Sequence, residues 1–185
     1  MIYEDRELLM VGWDGYGPYM PLHEGLLGDL TRKQAREEFN HLMGEKAARI
    51  RELRSLLRAN EVRCGVDDQA IQDLNDWFRV NVQANPDRPE RLENIWYAVV
   101  NDIALDLGDV IISRSPGLRW TMFVSGKRNI AYQRHVIAGF TGVANPKYCV
   151  DIDIFVATYA HQVIAGEQVE ADGFLRAVLH CASVA

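Results

Sequence analysis

The chain has 185 residues, 48% of them hydrophobic and 25% charged, with a net charge of −6 and an isoelectric point near 5.4. A chain of this length can bury roughly 70% of its unfolded surface as one domain, so it needs no disulfide or metal staple. Its acidity argues against general nucleic-acid binding, and no run of about 18 apolar residues is present to span a membrane.

The N-terminus, MIYEDRELLM, lacks the basic-then-apolar order of a secretory leader. Residues 8–11 read as a short strand or helix. Gly12 to Pro21 holds three glycines and two prolines, which predicts irregular backbone. Its aromatics, Trp13, Tyr16 and Tyr19, are expected to pack this loop over the core. The alternative is a ligand lid.

A first helix opens at Thr31 and Gln34, the spacing of a capping box, and runs to about Ala59. Ala35, Phe39, Leu42, Met43, Ile50, Leu53 and Leu57 recur at helical period and form its apolar stripe. Its other face alternates bases and acids, including Lys46, Arg49, Arg54, Glu38 and Glu52, and reads as a solvated face with internal ion pairs. Asp67 or Asp68 caps a second helix with the stripe Ile71, Leu74, Trp77, Phe78 and Val82. Residues 84–87 are expected to be a linker.

The spacing then predicts a central buried helix over about 89–112. Its apolar residues, Leu92, Ile95, Trp96, Val99, Val100, Ile103, Leu107, Val110 and Ile111, step by threes and fours. Pro89 suits a first helical turn, and Ser115-Pro116-Gly117 ends the run. Asp102, Asp106 and Asp109 lie within roughly 60° of one another on one flank of the stripe.

After Gly117 the period shortens to two. Leu118 to Val124 and Ile130 to Phe140 read as a small antiparallel β-hairpin, about 118–140, around the turn-rich Ser125 to Asn129. From Asp151 two patterns overlap: Ile152, Ile154, Val156 and Thr158 alternate as a strand would, while Ile152, Phe155, Val156, Tyr159 and Val163 fit a helix with Asp151 as cap and Gly166 just past its end. The helix is the reading taken, and a last helix covers about 169–181. The expectation is an α+β fold, a mostly helical single domain over 1–185 built around the central helix.

Charge is unevenly distributed. Residues 110–150 contain no Asp or Glu but hold Arg114, Arg119, Lys127, Arg128, Arg134 and Lys147, a net of +6 that leaves −12 for the rest. Two readings follow. In one, the hairpin's cations pair internally with Asp102, Asp106 or Asp109. In the other, Lys127, Arg128, Tyr132, Arg134 and His135 form a surface for an acidic protein or small anionic ligand, since arginine matches carboxylate and phosphate in a planar fork. Trp120 would add aromatic contact area.

No sequence motif reaches a named chemistry. His23-Glu24 is followed by Leu27 where H-E-x-x-H needs its second histidine, and Ser125-Gly126-Lys127 lacks the upstream glycine of a phosphate loop. Asp102 and Asp106, one turn apart, are the candidate carboxylates of a small enzyme acting on an anionic substrate, with Asp151 and Asp153 as further metal ligands. Helix caps and solvent-facing aspartates account for the same residues, so no metal or cofactor is assigned. Cys149 with His135 or His161 is the one conceivable thiol pair. The odd, widely spaced Cys64, Cys149 and Cys181 suit reduced thiols in a cytosol. The leading expectation is a cytoplasmic binding protein without catalysis. An exposed stripe on the first helix would allow a homodimer.

Overall fold

The computed structural model describes residues 10–185. The expectation for residues 8–11 falls partly outside that range, and Met10 and Val11 have no regular structure. Helix α1 spans Arg32–Ala59. Thr31 caps it: its hydroxyl accepts from the Gln34 N–H while the Gln34 side chain accepts from the Thr31 N–H. Both groups would otherwise be left unpaired at a helix start. Helix α2, Asp68–Asn81, is capped by Asp67, which accepts from the Ala70 N–H.

The expected linker at 84–87 is a tight hairpin. Strand β1, Ala84–Asn85, pairs antiparallel with β2, Arg88–Leu92. Asn85 Oδ1 accepts from the N–H groups of both Asp87 and Arg88, which closes the turn. Pro89 therefore sits in a strand, and the central helix α3 covers Asn94–Arg114. The start near residue 89 is corrected by five residues. Leu92 fits the helical period but reaches the core from the strand, where it is 1% exposed.

Helix α3 is buried on nearly all sides, with Trp96, Val99, Ile103, Ala104 and Leu105 fully enclosed. Helix α1 packs on one side of it, and two later helices, α4 (Ile152–Ile164) and α5 (Gly173–Ser183), pack on others. Asp151 caps α4 by accepting from the Ile154 N–H. A buried amide joins the rest: Asn75 of α2 donates to the Tyr159 hydroxyl of α4 and accepts from the Phe174 N–H of α5.

The hairpin after α3 is shorter than its alternation suggested. Strand β3, Arg119–Met122, pairs with β4, His135–Ala138, in the register Arg119 to Ala138 and Met122 to His135. Residues 130–134, expected to be strand, are turn, because Gln133 adopts the left-handed conformation at φ 65°. A third short strand, β5 (Cys149–Val150), extends the sheet from β4. The sheet docks on α3 through Trp120, whose ring lies where a Cβ on Gly108 would be. The expected fold class holds: the described residues form a mostly helical α+β domain with a central buried helix and a small antiparallel sheet. None of their helices is long and apolar enough to cross a membrane.

Candidate functional site

The polar chemistry falls into two regions. The first is a seam between α1 and α3. Arg49 grips Asp102 with both Nε (3.0 Å) and Nη2 (2.5 Å), and the Tyr16 hydroxyl donates to the same carboxylate. Arg54 donates to Asp106 at 2.7 Å, and Lys46 pairs with Asp109. Trp120 Nε1 completes the set by donating to Asp109 at 3.0 Å.

The seam revises two expectations. The basic face of α1 is not merely solvated; three of its cations reach across to α3. Nor do Asp102 and Asp106 face solvent: the Asp102 side chain is fully buried and that of Asp106 is 8% exposed. Burial pushes both carboxyl pKa values up, against the pull of their arginines. Desolvation, followed by the neighbouring Asp102, also drives the Tyr16 hydroxyl far above its ordinary range.

The seam also fixes the Gly12–Pro21 loop. Arg49 Nη1 donates to the Gly17 carbonyl, Glu52 accepts from the Gly17 N–H, and Asn60 exchanges two hydrogen bonds with Gly12. Trp13 packs edge-on against Trp96 at 5.3 Å. Glu38, expected in water, is 5% exposed and accepts from Tyr19 and from the N–H groups of Leu22 and His23.

The second region is the turn between β3 and β4. Internal compensation of its basic window is partial, and its partners are not those expected. Arg134 is held by Asp151 at 2.7 Å and by Asp153, not by any α3 aspartate. Arg114 pairs with Asp68 at 2.8 Å. His135 is 6% exposed, and its Nε2 has no hydrogen-bond partner among the described residues. Burial holds its pKa below the ordinary histidine value. Trp120 is committed to Asp109 and Gly108. Arg134, His135 and Trp120 are thus built into the domain.

Lys127 and Arg128 are exposed, and no carboxylate among the described residues pairs with either. The fold adds a neighbour that the sequence did not reveal. Gln133 Nε2 donates to the carbonyls of Leu27 (2.6 Å) and Leu30 (2.9 Å), tying the turn to the segment that leads into α1. A groove of about 490 Å³ results, lined by Lys127, Tyr132 and Gln133 on one side and by Asp29, Thr31 and Arg32 on the other. Arg32 is likewise exposed and without a carboxylate partner among the described residues. No local pattern places it beside Lys127, which is 95 positions away; only the Gln133 tie does.

The carboxylates weighed as metal ligands are not gathered. Asp102 and Asp106 turn to separate arginines, while Asp151 and Asp153 hold a third. Burial raises the thiol pKa of all three cysteines, that of Cys181 to about 11, which keeps them protonated at neutral pH. Compared with known proteins, the chain matches no family model, no curated protein and no solved structure.

Proposed function

We propose that this protein is a binding protein whose contact surface is the β3–β4 turn together with the start of α1. Lys127 and Arg128 supply exposed charge, and Arg32 and Tyr132 line the same groove as Lys127. One observation carries the reading: these cations have no carboxylate partner among the described residues, while the cations of the seam and of the α4 cap are paired. The partner is an acidic protein segment or a small anion, held by charge-assisted hydrogen bonds. The net charge of −6 over the whole chain works against nucleic acid. Three unpaired cysteines accord with a cytosolic setting.

The test is fluorescence anisotropy with a labelled glutamate-rich peptide, alongside native mass spectrometry of the protein taken from its own cells. Lys127→Glu with Arg128→Glu should weaken peptide binding at least tenfold and remove any co-purifying acidic partner. Unchanged binding in a folded variant would sink the proposal.

A second reading, a small enzyme, draws on Asp106. Its raised-pKa carboxyl lines a cleft of about 440 Å³ with Lys46 and Arg54. Arg134 does not converge on it, so the anionic substrate would meet Lys46 and Arg54 instead. A screen of anionic metabolites that finds turnover abolished by Asp106→Asn would favour it.

A further inference from the structure

A cleft of about 540 Å³ lies between α4, α5 and the segment entering β5. It shares no residue with the basic groove. Its walls are aromatic and aliphatic: Tyr148 on one side, Phe155 and Tyr159 on another, Ala177 and Cys181 on the third. Each aromatic wall is braced from behind. Tyr148 stands edge-on to Phe140 at 5.2 Å, and Phe155 and Tyr159 both contact Phe174, at 6.3 and 5.3 Å. The Tyr159 hydroxyl is already satisfied by Asn75 and by the Glu170 carbonyl, so it presents its ring. Walls held this way keep the cleft open rather than letting it collapse.

The mouth defines the ligand's charge. The two charged groups in the lining, Glu170 and Arg176, pair with each other at 2.9 Å. A charged ligand therefore finds no unpaired opposite charge in the lining. The remaining polar groups, Gln162, Gln168, His180 and the Tyr148 hydroxyl, can each donate and accept. The Tyr148 hydroxyl lies 3.3 Å from His180 Nε2. The volume is that of small-molecule sites.

We infer that this cleft binds an uncharged, planar ring compound. Its rings lie among Tyr148, Phe155 and Tyr159, and its hydroxyl, amide or carbonyl groups meet Gln162, Gln168 and His180 at the mouth. The site is independent of the acidic-partner surface.

The probe is N-phenylnaphthylamine, a neutral dye that fluoresces in apolar surroundings, titrated against the full chain. Saturable one-to-one binding is expected, at least tenfold tighter than that of its anionic counterpart, anilinonaphthalene sulfonate. Ala177→Trp fills the cleft and should weaken dye binding at least tenfold. Lys127→Glu with Arg128→Glu should leave it unchanged. If Ala177→Trp does not fold, Val169→Phe on the loop wall carries the same test. Absence of saturable binding, equal or tighter binding of the sulfonate, or full binding by a folded cleft-filled variant would each overturn the inference.

Discussion

The α1–α3 seam and the β3–β4 turn both present cations, yet they differ in what meets them. In the seam each of Lys46, Arg49 and Arg54 finds its own carboxylate on α3. At the turn Lys127 and Arg128 are exposed, and Lys127 lines one groove with Arg32. The difference lies in what each pair costs when broken. An arginine–aspartate pair out of water leaves an uncompensated buried charge when one member is removed. An exposed cation loses little when changed, because water and salt already screen it. The seam is therefore a matter of stability, and the turn is free to serve recognition.

The largest effect is expected in the seam. Arg49→Met should cost about 3–5 kcal/mol in urea unfolding, because Asp102 is left buried without its partner. Adding Asp102→Leu should restore much of that loss. If the single variant costs under about 1 kcal/mol, the seam is no more than a surface pair. In the core it borders, Ile103→Ala should cost about 2–5 kcal/mol, which denaturant unfolding also measures.

Gly108→Ala should cost about 1–3 kcal/mol by forcing the Trp120 ring away from α3. Pairing it with Trp120→Leu should recover most of the packing loss, and thermal melting of the single and double variants decides this.

His135 gives a pH signature. Its folded pKa is depressed by burial below the ordinary 6.5, so the unfolded chain binds the proton first as pH falls. This contribution is fully present above about 6.5 and is lost as pH drops from there toward the folded value. His135→Phe should flatten that part of the stability–pH curve, and urea midpoints taken across pH 4–8 would show it. The smallest effect on stability belongs to the turn. Lys127→Glu with Arg128→Glu should shift it by no more than about 0.5 kcal/mol, measured in the same unfolding experiment.

Much of the fold could be read from local pattern. The capping box at Thr31 and the Asp151 cap are contacts between near neighbours and appear where the spacing put them, as does most of the apolar period of α3. Of the two aspartates open to the α2 cap, Asp67 takes it. What escaped is long-range. Glu38 and Arg49 look solvated on a helical wheel, because the loop and helix that cover them come from elsewhere in the chain. The helical period ran back through Leu92 because a strand that delivers one apolar residue to the core mimics a helix turn. The candidate site was legible in part. Lys127 and Arg128 follow from the absence of acids around them, whereas the commitments of Arg134, His135 and Trp120 are set by α4, the sheet interior and α3.

Gly108 and Trp120 together make a joint whose clearance is less than one methyl group. The same indole holds Asp109, which holds Lys46, so the joint connects the sheet to α3 and α3 to α1. Substitution at either position is consequently not a local event: the two can change size only in concert. A lineage that gained a side chain at 108 would have to shrink the ring at 120 and, in losing the indole N–H, surrender one of the contacts that hold Asp109 against α1.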